Sequence, residues 1–338
     1  MKNFKVSDLV QALDTITGGR LPKNIGEMYN GSNPFVVVKS SNLPGKAITE
    51  TPGLVFGDLD MEIKKVAVLM TMTESAIELA GSTDVDAIVA HHPIADAANS
   101  GGVLIKTYLG LYKIAALELH EAFHGLHPGI SYIHGHAAYR VEIGYGGVPG
   151  NVLYVGRTLE GIDTLGDIID RIKNFMNIDV ENEFLKAEKV IRDCNYITET
   201  SVEVQGKILL GTRESKVKNI LHIFPHTAFT PQHLENVMRE NPEIDTVLAS
   251  ISRVKIDNPL VEKAREMGLN FILGNPHSLE IFENGLPLAR AIKTILPSLD
   301  VVVFRERMCS VPVDSFGTDS IQDYAKMITE NYLVKTNK

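Results

Sequence analysis

Histidine is where this sequence concentrates its chemistry. Seven of the eleven histidines fall between His91 and His136: His91, His92, His120, His124, His127, His134 and His136. Imidazole is the commonest metal donor and titrates near neutral pH, so such a cluster points to a metal site or to acid–base work. The adjacent pair in His91-His92-Pro93 is its strongest part. The pair follows Asp86-Ala87-Ile88-Val89-Ala90, an apolar run of the kind buried on both faces of a parallel sheet. Open α/β sheets carry their sites at the carboxyl ends of such strands. Neighbours in an extended strand point to opposite faces, but at a strand end the chain can turn and let both rings converge. Pro93 would bias His92 toward an extended backbone and so help to set the pair.

A second pair, His277 and Glu280 in Asn275-Pro276-His277-Ser278-Leu279-Glu280, also follows an apolar strand. A spacing of three puts both side chains on one face of a helical turn, and a nitrogen with an oxygen donor suits zinc, iron or manganese better than magnesium. His120-Glu121-Ala122-Phe123-His124 has the HExxH spacing of zinc peptidases, in which the glutamate is the general base. Against that reading, Glu118 puts a charge in a flank that is usually uncharged, and no third ligand follows at the usual spacing. The plain alternative is a helix end where histidines favour the dipole. His134-Gly135-His136 ends a short apolar run, so one of its rings can face the cluster, whereas His222, His226 and His233 read as surface residues. Gly144–Gly150 lacks any phosphate-loop pattern and reads as a plain loop.

The elements that must position these residues alternate. Apolar runs at 65–70, 86–90, 217–224, 245–249, 270–273 and 300–304 read as buried strands. Helical spacing appears at 7–15, from Thr73, and at 103–124, 165–176, 231–239, 259–267, 286–296 and from Asp319. The segments 130–133 and 201–210 read as further strands. Strands alternating with helices imply an α/β fold of two packed lobes with mainly parallel sheets. The expected lobes are 1–155, carrying His91-His92-Pro93, and 156–338, carrying His277 and Glu280, with a metal site between them.

Composition narrows the field. The 338 residues are too many for one small core, and 44% apolar content is enough to build two. A formal charge of −9 without a basic cluster, and no Trp, argue against a nucleic-acid partner. Cys194 and Cys309 form no CxxC pair, which fits a reducing compartment and excludes a cysteine-based zinc site. No apolar run approaches the ~20 residues of a membrane span and the start lacks a leader pattern, so the cytoplasm is expected and a membrane partner is not.

These motifs resemble those of the Nif-three-like family of dinuclear-metal-centre hexameric proteins, some of which carry the designation of a type 2 GTP cyclohydrolase I. The resemblance runs over most of the chain. It is carried by Pro52-Gly53-Leu54-Val55-Phe56-Gly57, by the strand into Ala90-His91-His92-Pro93, by Gly274, His277 and Glu280 in Gly-x-x-His-x-x-Glu spacing, and by Val155-Gly156-Arg157. It implies a homohexameric ring and two divalent ions between the lobes. The ions would be held by the paired histidines, a His-x-x-x-Asp motif and the C-terminal His/Glu pair. Carried across, His91, His92, His277 and Glu280 match. Chain order makes His136 the middle histidine, but Arg140 stands where the aspartate belongs. Glu142, His120 and His124 are the candidates to replace it, and the ion count is one or two.

The expected function is therefore a metal-dependent hydrolase of a nucleotide-like or phosphorylated small molecule. A non-catalytic metal chaperone or scaffold ring is the alternative, and a zinc peptidase built on His120 and His124 the weaker one.

Overall fold

The computed structural model describes residues 3–40, 47–92, 94, 105–148, 150–203, 205–224, 228–251 and 254–333. Pro93, His226 and the first two residues of the expected 103–124 helix lie outside the described residues.

Two larger sheets organise the chain. We number their strands in chain order as β1 (Gly53–Phe56), β2 (Lys65–Leu69), β3 (Ala87–Ala90), β4 (Ala115–Glu118), β5 (His136–Ile143), β6 (Val152–Thr158), β7 (Lys207–Leu210), β8 (Asn219–Phe224), β9 (Thr246–Ile251), β10 (Asn270–Pro276) and β11 (Asp300–Val303). The first sheet runs β11-β2-β3-β4-β1 and is parallel except for β1. The second runs β7-β10-β9-β8-β6-β5, with a parallel centre of β8, β9 and β10 flanked by antiparallel strands.

The helices used below are α1 (Val6–Ile16), α2 (Glu74–Ser82), α3 (Ile105–Tyr112), α4 (Gly129–Ile133), α5 (Leu165–Phe175), α6 (Ile178–Ile191), α7 (Pro231–Glu240), α8 (Pro259–Glu266), α9 (Leu286–Ile295) and α10 (Asp319–Ile328). Side chains alternate across a strand, and the first sheet shows the consequence. Val66, Val68, Ala87, Val89, Ala115 and Leu117 pack with Leu9 and Leu13 of α1 and Leu288 and Ile292 of α9. Ala67, Leu69, Ile88, Ala90 and Ala116 face the other way, onto Ile77 of α2 and Leu109 of α3. The second sheet divides likewise. Leu221, Ile223, Val247 and Phe271 meet α7 and α8, while Ile220, Leu248 and Ile272 meet Ile168 and Ile172 of α5. Burial on both faces is why these strands read as continuous apolar runs. Among the described residues no helix is long and apolar enough to cross a membrane.

Four expectations change. The 103–124 segment is not one helix: α3 ends at Tyr112, Lys113 takes a left-handed φ of 57°, and 115–118 is the buried strand β4. A four-residue apolar run does not reveal its period, so helix and strand look alike there. Residues 130–133 lie in the short helix α4, not in a strand. Among the described residues of 201–210 only 207–210 is strand, and 200–203 is a helical turn. Finally, the chain crosses between the sheets more often than a boundary at 155 allows. Strand β5 and the start of β6 join the second sheet, while α9 and β11 return to the first. Short connections hide those crossings, because no linker composition marks them.

Candidate metal centre

Strand β3 delivers the first donors. Beyond Ala90 the backbone stays paired, His91 N–H donating to Leu69 O (3.0 Å) and His92 N–H to Met70 O (2.8 Å). This holds both rings at the carboxyl edge of the first sheet, His91 buried and His92 half-buried. Strand β4 delivers the next. Leu119 N–H still bonds Ala90 O (2.9 Å), and the chain then folds into a single turn in which Phe123 N–H (2.8 Å) and His124 N–H (3.3 Å) reach His120 O. His120 and His124 therefore sit on a turn, not on the expected helix, yet their ring centroids are 4.5 Å apart. Arg20 braces that turn from the loop after α1, its Nη1 donating to Ala122 O (3.1 Å) and His124 O (3.0 Å).

The second sheet contributes from the end of β10. A tight turn over 277–279 leads into a wide π-type turn over 281–285, which aims Glu280 and Asn284 inward. Glu280, 2% exposed, receives the first pair: its Oε1 lies 3.2 Å from His91 Nε2 and its Oε2 3.0 Å from His92 Nε2. His277 Nε2 stands 3.6 Å from the same Oε2 with its side chain 59% exposed, and its ring centroid is 4.8 Å from that of His92. The structure thus brings together His91, His92, His277 and Glu280 across the two sheets.

The four buried or half-buried rings share one arrangement. Each Nδ1 has a partner: Leu119 O for His91 (3.0 Å), Thr71 Oγ1 for His92 (2.9 Å), Glu50 Oε2 for His120 (3.1 Å) and Glu121 Oε2 for His124 (3.3 Å). A carbonyl or carboxylate on one ring nitrogen turns the ring and leaves the other nitrogen as a lone pair, the usual setting of metal-binding histidine. Three groups, His91-His92-Glu280, His91-His120-His124 and Glu50-His120-Glu121, each bring three donor atoms within 4.8 Å of one another, and each could hold an ion.

The chemistry of His91 tests whether a cation fits. Leu119 O can only accept, so His91 Nδ1 must carry the hydrogen. In the neutral ring Nε2 is then a lone pair facing a carboxylate oxygen at 3.2 Å. Two acceptors at that distance repel unless a positive charge stands between them. Burial lowers the His91 pKa and so disfavours a proton in that role, though Glu280 works the other way. Asn284 Nδ2 lies 3.0 Å from Glu280 Oε1 and 3.4 Å from His91 Nε2 and eases the contact without supplying a charge. Burial also opposes a charge on His92, but the bond and attraction of Glu280 outweigh it and raise that pKa. For Glu280 the same two rings overcome burial and hold its pKa well below the carboxylate range. The donor set fits a cation, and His91, His92 and Glu280 could hold a metal ion between them.

His136 lies elsewhere. It starts β5, is fully buried, and its Nε2 lies 3.0 Å from His222 Nδ1. His222 Nε2 in turn bonds Ser250 Oγ (2.7 Å), so His222 is a core residue rather than the expected surface one. His134 completes this second group, accepting Asn275 N–H at Nε2 (2.9 Å) and bonding Ile130 O through Nδ1 (2.7 Å). None of the three belongs to a donor group above. Arg140 is engaged by Glu142 and Glu240. His120 and His124 stand beside His91 instead, their ring centroids 5.2 and 5.6 Å from its own, with His124 four residues after His120. Chain order misled because the supposed long helix hid β4, the strand that precedes this turn. Glu50 and Thr71 escaped sequence reasoning altogether, since an isolated polar residue 70 or 21 positions from its partner leaves no pattern.

Comparison with known proteins bears on the fold. Residues 41–99 match the Duf34/NIF3 (NGG1p interacting factor 3) family. No curated protein matches the chain in sequence. Among solved structures, reduced HcgD from Methanocaldococcus jannaschii superposes with a TM-score of 0.56 at 16% identity, covering 90% of this chain and 98% of that one. The hypothetical protein SA1388 of Staphylococcus aureus gives 0.54 at 16% identity, with 94% and 100% covered. A Bacillus cereus protein related to NIF3 gives 0.51 at 12% identity, with 94% and 100% covered. At these identities the likeness is one of fold. The resemblance to the Nif-three-like family read from the motifs is borne out.

Proposed function

We propose that this chain, folded like NIF3-related proteins, is a divalent-metal hydrolase of a phosphorylated or nucleotide-like small molecule. The observation that carries the reading is the approach of His91 Nε2 to Glu280 Oε1 at 3.2 Å, with Nδ1 already committed to Leu119 O. His91, His92 and Glu280 would hold one ion, and His120 and His124 a second or the far side of the first. A bound zinc, iron or manganese ion would supply Lewis acidity and lower the pKa of water. Thr71, Glu50 and Glu121 orient the rings, and Asn284 holds the Glu280 carboxylate. His277, exposed at the rim, is the group with access to both the centre and solvent, and so the one suited to move a proton.

Elemental analysis of protein purified without tag or chelator tests the metal. A panel of phosphorylated small molecules, hydrolysed with added zinc, iron or manganese and not after chelation, tests the reaction. Finding at most a trace of metal in the folded protein would end the reading. The deep burial of His91, His124 and Glu280 also favours a store that holds its metal tightly. Slow metal exchange with no turnover of any panel member would select that second reading. The peptidase reading loses support, because Glu121 is clasped between His124 Nδ1 (3.3 Å) and His120 Nδ1 (3.6 Å) rather than facing a cleft. The ring assembly implied by the resemblance belongs to the same proposal, and the exposed Ile321, Tyr324 and Met327 of α10 support a covering partner. Light scattering tests it.

A further inference from the structure

Beside the centre lies a cavity of about 350 Å³ that the proposal above does not use. It opens at the carboxyl end of β2 and β11, between the first turn of α2 and the segment 304–308 that leaves the sheet. Thr71 joins the two places: its hydroxyl meets His92 Nδ1 (2.9 Å), and the residue also lines the cavity. A ligand seated there lies next to the His92–Glu280 end of the centre. Buried Leu69, half-buried Phe304 and the exposed Leu79 and Met308 give the cavity apolar walls.

The charge that faces it is negative. Arg305 and Arg307 border the cavity but turn their guanidiniums away from it. Arg305 reaches Glu181 Oε1 (2.5 Å) and lies over the Phe282 ring at 5.4 Å. Arg307 reaches toward Glu188 Oε2 (3.5 Å) and lies over Phe184 at 5.6 Å. Glu306, between them, turns inward: its Oε1 accepts the Thr71 N–H at 3.1 Å. Among the described residues no cation answers that carboxylate. The first turn of α2 brings the positive end of a helix, but Thr73 Oγ1 already accepts the Ala76 N–H (3.1 Å), and Glu74 stands in that turn. An anion is therefore unwelcome here. An N–H donor is favoured, because a hydrogen bond to an ionised carboxylate is about twice as strong as a neutral one.

Apolar walls with a carboxylate beside them fit a planar ring that carries an amino group. The ring packs against Phe304 and the polarizable Met308, and the amino group donates to Glu306. We infer that this cavity holds an amino-bearing ring of the small molecule on which the centre acts, with Glu306 as the group that selects it. The inference rests on the hydrolase reading above for calling the ligand a substrate, but the subsite itself is testable without turnover.

The test uses three one-ring probes, aniline, toluene and benzoate, titrated into the full chain, metal-loaded and metal-free. Binding is read from the methyl NMR signals of Leu79 and Met308, with metal content measured alongside. Aniline shifts those signals in both forms, toluene binds more weakly and benzoate does not bind. Glu306→Gln weakens aniline about fivefold or more, the loss of the charge from one hydrogen bond, and leaves toluene as it was. Ala76→Leu fills the cavity, abolishes binding of both rings and covers the case of a Glu306 variant that fails to fold. Metal content stays at the wild-type level in both variants. Benzoate that binds as well as aniline, or aniline that ignores both substitutions, overturns the inference. Aniline that binds only the metal-loaded form sits on the ion and overturns it as well, as does no binding to either form. A chain that carries no metal yet binds aniline in this pattern would remove the hydrolase reading and leave the subsite standing.

Discussion

Two groups of histidines lie in this molecule, alike in residue type and opposite in what surrounds them. His91, His92, His120 and His124 each spend one ring nitrogen on an orienting partner, and His91 and His92 turn the other toward the Glu280 carboxylate. His134 spends both nitrogens on backbone groups and His222 both on side chains. The nearest carboxyl to the second group, Glu283 Oε1 at 3.9 Å from His134 Nε2, has its pKa pushed up to about 8 by burial and so brings no negative charge at neutral pH. Burial lowers the pKa of His134 to about 4 and of His136 to about 3, and it holds His222 well below its ordinary value. The first group could hold a cation, whereas burial keeps the second neutral. What separates them is the charge state of one neighbouring carboxyl and the fate of the second ring nitrogen.

The comparison breaks most visibly at its carboxylate. Glu280→Gln and His91→Ala should each cut metal affinity by well over 100-fold while the chain stays folded, since a ligand is lost rather than an orienting partner. The matching changes His136→Gln and His222→Gln should leave metal content alone. Metal kept by Glu280→Gln, or lost from a folded His222→Gln, would erase the distinction.

Next in size is acid sensitivity. The second group has folded pKa values below the ~6.5 of an unfolded histidine, so beneath that pH the unfolded chain binds more protons. Stability should fall as pH drops from 6.5 toward 4, each histidine contributing up to about 1.4 kcal/mol per pH unit. Urea midpoints of the metal-free protein measure this, and His136→Gln should flatten the acid limb by one group. An unchanged slope would place that ring in contact with water.

Glu283 should act with the opposite sign. Its folded pKa of about 8 exceeds the unfolded carboxyl value, so the folded state keeps a proton that the unfolded chain releases. Its stabilising effect is complete below pH 4.5 and lost as pH rises to about 8. Above pH 6.5, where His134, His136 and His222 no longer contribute slope and the raised His92 adds a decline of its own, Glu283 should still lower stability, and Glu283→Gln should remove its part of that decline. Identical alkaline limbs in wild type and variant would show that the carboxyl is ionised.

The smallest effect sharpens the first group rather than breaking it. Thr71→Val removes the partner of His92 Nδ1 and should weaken metal affinity about tenfold. The same change should leave the stability of the metal-free protein within about 1 kcal/mol. An effect on stability alone would make Thr71 a packing residue.

Much of this was legible in the residues. The buried strands at 65–70, 86–90 and 270–273 announced themselves because burial on both faces demands an unbroken apolar run, and His91, His92 and Glu280 were legible because each follows such a run. The HExxH spacing of 120–124 was visible too, but its meaning was not. A four-residue strand inside an apparent helix turned a peptidase-like motif into a turn bearing two rings, and that same misreading moved the middle donor to His136.

By itself the sequence determined the α/β class, the strand ends and the presence of two half-sites, because these follow from local periodicity and from what stands next to it in the chain. Tertiary structure alone decided which histidines share a carboxylate, which pack into a neutral core, and that Glu50 and Thr71 orient rings 70 and 21 residues away. The reason is physical: a ring's role depends on what each of its two nitrogens faces, and partners brought from another strand or another sheet leave no spacing to read.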